Sequence, residues 1–279
     1  MKKLQTIVLL AAMLCLLAQA GNAQVKAGLR LYGGLNFLNG GDLNKGAEAW
    51  HDVYVFEALS AGYSSQGSFS PAHLGMNFGG EIVILFTPRI GLGLGAGYIS
   101  ASRTSAVEFH KLLNPTIDLS LQPKATVIPL QLSFYYFLPV ASWMNIVLQA
   151  GPGFYLAKAY YHHRAENPTY FEEITIDTKA NGLGFHGGVG FEFRVSSQLG
   201  LLVEFLGRYA SVSGFEGEMT TANSGGSWNE NGVLYLINAG FFNGLLVSSI
   251  KPSGPGVSSE EAAVDFSGFS FRGGFFIRF

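Results

Sequence analysis

Hydrophobic and polar residues alternate along eight segments of the chain, as is typical of β-strands with two different faces. The last segment, residues 265–279, shows the pattern most clearly. Phe269, Phe271 and Phe275 share one face of this segment, whereas Arg272 lies on the other. We therefore predict eight strands, at residues 25–37, 73–87, 90–101, 123–138, 144–157, 181–195, 198–212 and 265–279.

The connections between these segments are alternately long and short. Turns of a few residues, such as the one at Pro88 and Arg89, alternate with long polar stretches. Short turns at one end and long loops at the other are typical of barrels in the outer membrane, where the short turns face the periplasm. The predicted fold is all-β: an eight-stranded antiparallel up-and-down transmembrane β-barrel spanning residues 24–279. Its long extracellular loops are expected at about 38–71, 102–122, 158–180 and 213–264.

Two places leave details of this fold open. Residues 233–250 are apolar and could turn at Asn243 and Gly244 to add two strands, which would make ten. Too few residues then precede Pro252 for a crossing strand of roughly nine residues, so we favour a hairpin outside the membrane. Pro129 lies inside a predicted strand and lacks the N–H that a ladder needs, so we expect a bulge or local bend there.

The N-terminal residues have the features of a secretory signal peptide. Lys2 and Lys3 precede an apolar run at residues 7–17, and small residues suit cleavage after Ala20 or Ala23. We therefore predict a leader at residues 1–23. The single cysteine, at position 15, lies inside it, so the exported chain is expected to lack disulfides.

The composition also fits a membrane barrel. Charged residues make up 13% of the chain, against a usual value of about 25%, while aromatic residues make up 14% and glycines number 37. Removing Lys2 and Lys3 leaves 15 basic and 19 acidic side chains, a formal net charge of −4. This balance argues against a nucleic-acid partner, which would need a basic surface.

The strand pair LGMNFGGEIVILFTPRIGLGLGAGYIS and the terminal Phe279 resemble the small OmpA/OmpX-type barrels of the outer membrane protein β-barrel domain family. This resemblance implies a place in the outer membrane of a Gram-negative bacterium, in contact with its lipid and lipopolysaccharide. It also implies that Phe279 belongs to a signal read by the barrel-assembly machinery. Members of the family include membrane anchors, adhesins, small transporters and lipid-modifying enzymes. We expect a monomer.

Placing the aliphatic faces toward lipid collects the charged residues in the lumen. Counted from the short turns, Arg30, Glu81, Glu204 and Arg272 lie at similar depth, so we predict a buried ion-pair cluster. Such a cluster could fill a narrow interior, or it could form an ion path or gate. The full predicted lumen charge network is Arg30, Glu81, Glu192, Arg194, Glu204, Arg208 and Arg272.

The sequence offers weak candidates for catalysis or metal binding. His186 points inward with no serine beside it in the sequence, and the neighbours His162 and His163 point to opposite sides of an extended chain. The GLGLGAG run at residues 91–97 continues as a strand instead of opening a helix, so it does not predict a nucleotide site. We therefore predict no catalytic, metal-binding or cofactor-binding residues.

The leading hypothesis is a non-enzymatic barrel with a structural or surface-interaction role. One alternative is a channel for small solutes or hydrophobic molecules. Another is a lipid-A-modifying hydrolase or acyltransferase. A lumen plugged by the charge cluster would argue against the channel, whereas a Ser–His contact near the outer rim would favour the enzyme.

Overall fold

The computed structural model describes residues 26–240 and 242–279, so the predicted leader lies outside the described residues. Within that part of the chain there are sixteen strands and one helix. Their bounds are β1 Lys26–Leu38, α1 Asp42–Ser60, β2 Ser64–Gly67, β3 Leu74–Leu85, β4 Ile90–Ser102, β5 Ser105–His110, β6 Ile117–Ala141, β7 Met144–Asn167, β8 Tyr170–Arg194, β9 Leu199–Tyr209, β10 Ser211–Val212, β11 Glu216–Asn223, β12 Gly226–Ala239, β13 Phe242–Ser248, β14 Ser258–Glu261, β15 Val264–Asp265 and β16 Gly268–Arg278.

A closed ring of antiparallel strands forms the base of the molecule. Each strand of the series β1, β3, β4, β6, β7, β8 and β9 pairs with the next. The series closes because β16 pairs with β9 on one side and with β1 on the other. Each predicted strand segment overlaps one strand of this ring. The predicted all-β, antiparallel architecture is therefore confirmed.

The two faces of the ring differ in polarity as the alternation predicts. Phe271 and Ile84 project outward and are 58% and 42% exposed. Glu204 and Arg272 project into the ring and are only 2% and 3% exposed. An exterior built of large apolar side chains around an ionic interior reverses the arrangement of a water-soluble barrel.

Strands β6, β7 and β8 are 24 or 25 residues long, more than twice the roughly ten residues that a tilted strand needs to cross a membrane. The outward face of β6 changes character along its length. Near the short turns it carries exposed Leu138, Phe134 and Ile128, whereas farther along it carries Lys124 and Gln122. On the inward face of β6, polar side chains give way to apolar ones farther from the short turns. The apolar exterior is thus a band at the end of the ring that bears the short turns, called here the turn end.

Beyond this band the chain builds a second layer, called here the cap. It comprises α1, β2, β5, β10 to β15 and the ends of β6, β7 and β8 that lie far from the turn end. Its interior is lined by apolar side chains, as in a water-soluble domain, although Phe56, Leu113 and Ile250 remain exposed. Among the described residues, no helix is both long and apolar enough to cross a membrane. Buried residues of the cap include Leu43, Ala47, Leu121, Ile176, Leu234 and Val247.

Helix α1 is fixed at both ends. At its start the Asp42 carboxylate accepts the backbone N–H of Ala263, and it also lies near the positive end of the helix dipole. At its end Gly62 adopts φ 82°, and the N–H groups of Gly62 and Tyr63 bond to the carbonyls of Leu59 and Ala58. This is the Schellman arrangement, which satisfies the last carbonyls of a helix.

The predicted long loops are largely ordered secondary structure. The interval 38–71 contains α1, 102–122 contains β5 and the start of β6, and 213–264 contains β11 to β14. The interval 158–180 is not a loop, because β7 and β8 continue through it and pair up to Asn167 and Tyr170. The strands were not predicted there because in the cap the apolar face of each strand is the inner one, whereas in the band it is the outer one.

Two local predictions were also wrong. The hairpin of β12 and β13 turns between Ala239 and Phe242, with Gly240 at φ 73°, and not at Asn243 and Gly244. Positive φ is what such tight hairpin turns require. The hairpin itself lies in the cap, and its place outside the membrane stays a prediction.

Of the bulge or local bend expected at Pro129, the bulge is not present. The register of β6 against β4 is the same before and after Pro129, although the ladder skips Gly97 and Tyr98. The proline ring packs toward Gly97, which has no side chain to displace. The missing N–H of Pro129 therefore interrupts the ladder between β4 and β6 once, without inserting an extra residue into either strand.

Candidate functional site

The lumen of the ring is filled by buried side chains in successive layers. Toward the turn end lies an apolar cluster, beside the buried Glu192, in which the rings of Phe137 and Phe276 stack with centroids 5.9 Å apart. A charged layer follows, then a layer of neutral hydrogen bonds, and then the apolar core of the cap. The apolar layer near the turn end comprises Val83, Leu85, Phe137, Val147, Leu202 and Phe276.

The charged layer brings Arg30, Glu81, Glu204 and Arg272 together. Arg30 lies 3.5 Å from Glu81 and in direct contact with Glu204, while Arg272 lies 2.9 Å from the other Glu204 oxygen. Strand register explains the proximity, because Arg30 is the pairing partner of Glu81 and Arg272 is that of Glu204. Two oppositely charged pairs, one on β1 and β3 and one on β16 and β9, are therefore bridged by Glu204.

Aromatic side chains complete the surroundings of both arginines. The Arg30 guanidinium lies 4.4 Å from the centroid of Tyr135, and that of Arg272 lies 3.9 Å from the centroid of Tyr32. The Tyr135 hydroxyl donates to Glu81. Gly93 makes the space for this contact, because a side chain there would overlap both Glu81 and Tyr135. This explains at least one glycine of the GLGLGAG run as a small inward position.

Glu192 and Arg194, also predicted for the network, lie apart from it at the turn end. Glu192 is buried, pairs with Arg278 at 2.5 Å and accepts a hydrogen bond from Asn145. Arg194 donates to the same Asn145 and remains exposed. These residues form a second, smaller group near the ends of β7, β8 and β16.

Arg208 lies on the other side of the charged layer, toward the cap. It donates to the carbonyl of Phe266 at 2.7 Å and to the Asn36 side chain at 2.9 Å. Ser270 also donates to Asn36, and Asn77 donates to Ser270. Neutral acceptors thus bind Nε and Nη2 of this buried cation, whereas Nη1 has no hydrogen-bond partner among the described residues. Sequence reasoning identified neither acceptor.

His186 has a serine neighbour that sequence reasoning missed. Ser133 Oγ lies 3.0 Å from His186 Nε2, and both side chains are buried in the lumen. The two residues lie on β6 and β8, with Gly151 of β7 between them and pairing with His186. The contact is far from the outer rim and enclosed on all sides, so a substrate has no access to it.

The neighbours His162 and His163 point to opposite sides, as expected for a strand. His162 faces outward and lies 3.1 Å from Glu173. His163 is buried beneath α1, where Trp50 packs against its ring and the Tyr54 and Tyr161 hydroxyls lie 3.3 and 3.2 Å from its two nitrogens. Burial, and secondarily the nearby His162, lowers the pKa of His163 to about 3. A neutral imidazole therefore joins the helix to β7.

Burial also raises the pKa of Tyr54, and the neighbouring Glu172 reinforces the effect. The Tyr54 hydroxyl donates to Glu172. Because Tyr54 uses its proton for Glu172, its oxygen accepts the N–H of His163 Nε2. Nδ1 of the neutral imidazole then accepts the hydroxyl proton of Tyr161. Across residues 26–240 and 242–279, no three histidine or acidic side chains are grouped so as to hold a metal ion.

A closed antiparallel ring with an apolar exterior band and a charged interior defines a membrane β-barrel. The model of the outer membrane protein β-barrel domain family matches residues 6–229. The chain belongs to this family, which places it in the bacterial outer membrane.

Three solved structures are similar to the chain, and all are of outer-membrane proteins. A major outer membrane protein from Thermus thermophilus is 13% identical, with 91% of this chain and 99% of that chain covered and a TM-score of 0.43. OprG from Pseudomonas aeruginosa is 12% identical, with coverages of 93% and 98% and a TM-score of 0.34. The outer membrane protease OmpT from Escherichia coli is 11% identical, with coverages of 94% and 100% and a TM-score of 0.27. No curated protein matches the chain.

Proposed function

We propose that this chain crosses the outer membrane as an eight-stranded barrel and holds its cap outside the cell. The strand number is supported by the pairing of β16 with both β1 and β9. Strands β12 and β13, which a ten-stranded barrel would use, pair with each other within the cap. The polar outward faces of β6, β7 and β8 in the cap suit water, whereas their faces near the turn end suit lipid.

The proposed role is non-enzymatic: a closed barrel that anchors a surface-interaction domain. The observation that carries this proposal is the filled lumen, in which the charged layer lies between two apolar layers. A water-filled path would need a continuous polar lining, and the layer around Phe137 and Phe276 interrupts it. The burial of Ser133 and His186 argues against hydrolysis at that pair.

The same arrangement suggests the partners of the chain. The apolar band would contact outer-membrane lipid and lipopolysaccharide, and a ring closed within one chain needs no second copy, so we propose a monomer. The Phe279 side chain is 75% exposed beside β1, where the barrel-assembly machinery could recognise it. Export by a leader cleaved after Ala20 or Ala23 stays a prediction.

Purified protein inserted in planar lipid bilayers is expected to show no steady ion conductance. The reason is that the lumen contains an apolar layer and ion-paired charges in place of an aqueous path. Current recordings at both voltage polarities would measure this, with an open porin as the positive control. Reproducible single-channel steps that scale with the amount of protein inserted would contradict the proposed role and favour a channel.

The orientation can be measured with single cysteines, since the only native cysteine lies at position 15 in the predicted leader. Leu112 is 88% exposed between β5 and β6 in the cap, and Ser197 is exposed in the turn between β8 and β9. A membrane-impermeant maleimide applied to whole cells should label Leu112→Cys but label Ser197→Cys only after the outer membrane is permeabilised. The unsubstituted chain gives the background. The reverse labelling would place the cap in the periplasm.

A further inference from the structure

A cavity of about 490 Å³ opens at the turn end, inside the mouth of the ring. It lies between the turn that joins β3 to β4 and the turn that joins β8 to β9. Leu85 and Phe137, both buried, supply apolar lining, together with Phe86 and Pro88. This volume is within the range of small-molecule sites, which combine apolar walls with a few placed polar groups.

The charged groups in this lining are all cationic. They are Lys26, Arg194 and Arg278, and no carboxylate is among the described residues that line the cavity. Arg278 already pairs with the buried Glu192, whereas the Arg194 guanidinium donates to the neutral Asn145 and pairs with no carboxylate among the described residues. Among the described residues, one of the three cations around this mouth is therefore paired with a carboxylate side chain.

The hydroxyl groups of the lining are also set to donate. Thr87 Oγ1 accepts the backbone N–H groups of Arg89 and Ile90. Ser196 Oγ likewise accepts those of Gln198 and Leu199. A hydroxyl that has used its acceptor capacity in this way still has its proton to give. The turns thus present two O–H donors to the same cavity as the three cations.

We propose that this cavity binds an anionic amphiphile: a carboxylate or phosphate group that carries an apolar chain. The anionic group lies against Lys26, Arg194 and the two hydroxyls, and the chain lies against Leu85 and Phe137. The cations and the two O–H donors favour an anion, and the apolar lining adds contact area that a bare inorganic ion cannot use. The anionic group could belong to a membrane lipid at this face or to a free molecule.

The test uses the full-length protein in nanodiscs of phosphatidylcholine, with octanoate as the probe and calorimetry as the readout. Octanoate should bind, whereas acetate and octanol, which each lack one half of the ligand, should bind at least about tenfold more weakly. Lys26→Gln and Arg194→Gln should each weaken octanoate binding about tenfold. Both side chains are at the exposed rim, so neither change should prevent folding.

Arg89→Gln is the matched control, because Arg89 lies in the same rim but does not line the cavity. Octanoate affinity should stay within about twofold of the original in this variant. The proposal is overturned if Arg89→Gln weakens binding as much as Arg194→Gln does, if octanol binds as well as octanoate, or if octanoate does not bind. Adding the anionic lipid phosphatidylglycerol to the nanodiscs shows where the natural ligand comes from. If phosphatidylglycerol competes with octanoate, the ligand is a membrane lipid. If it does not compete, the ligand is a free amphiphile.

Discussion

Replacing Glu204 by glutamine is expected to destabilise the folded barrel by about 3–5 kcal/mol, the usual cost of removing one partner from a buried ion pair. Glu204 bridges Arg30 and Arg272, and all three side chains are at most 3% exposed. Without its charge, Glu81 is the one carboxylate left in the charged layer for two buried guanidinium groups. The midpoint and slope of denaturant unfolding in lipid vesicles would measure the change.

The exposed ion pair of Lys158 and Asp177 provides the comparison for Glu204. Lys158 Nζ lies 2.7 Å from Asp177 Oδ2, but the two side chains are 44% and 45% exposed in the cap. Asp177→Asn is therefore expected to cost no more than about 1 kcal/mol. If Glu204→Gln proved as mild as Asp177→Asn, water would have to reach the charged layer, and the lumen could not be closed as described.

The ring was predictable because its pattern is local. Along each ring strand the side chains alternate between one apolar and one polar environment, so parity alone assigns Phe271 to the outside and Arg272 to the inside. Counting residues from the short turns placed Arg30, Glu81, Glu204 and Arg272 at similar depth. In the ladders Arg30 pairs with Glu81 and Glu204 pairs with Arg272.

The cap was harder to predict because polarity changes sides where the strands leave the apolar band. On β6 the inward residues Leu119, Leu121 and Val127 alternate with polar outward ones, which is a strand pattern of the opposite phase. The sequence of helix α1 also contains a helical pattern of apolar residues. Its buried or half-buried residues Leu43, Ala47, Trp50, Tyr54 and Ala58 recur every three or four positions, the spacing of one helix face.

Sequence reasoning could not predict contacts that depend on how a long loop folds or on which strands lie next to each other but one. Arg208 bonds to the Phe266 carbonyl, whose position depends on how residues 210–267 fold across the ring. Ser133 meets His186 across the intervening strand β7, at the position of Gly151, which has no side chain. Neither relation follows from the parity of one strand or from the register of one pair.

An arginine at Phe134 should test the apolar band directly. Phe134 lies midway along the exposed apolar positions of β6, which run from Ile128 to Val140, and it is 52% exposed. An arginine at the middle of the lipid-facing surface of a barrel costs about 2–4 kcal/mol. We expect Phe134→Arg to lower the free energy of unfolding in lipid vesicles by this amount.

Gln122→Arg is the control for Phe134→Arg, because both positions lie on the outward face of the same strand. In the cap this face borders water, so the arginine remains hydrated and the free energy of unfolding should change by about 0.5 kcal/mol or less. Equal costs at the two positions would mean that both face the same medium. In that case the reversal of polarity along β6 would not mark the membrane boundary, and the division of the molecule into barrel and cap would lose its physical basis.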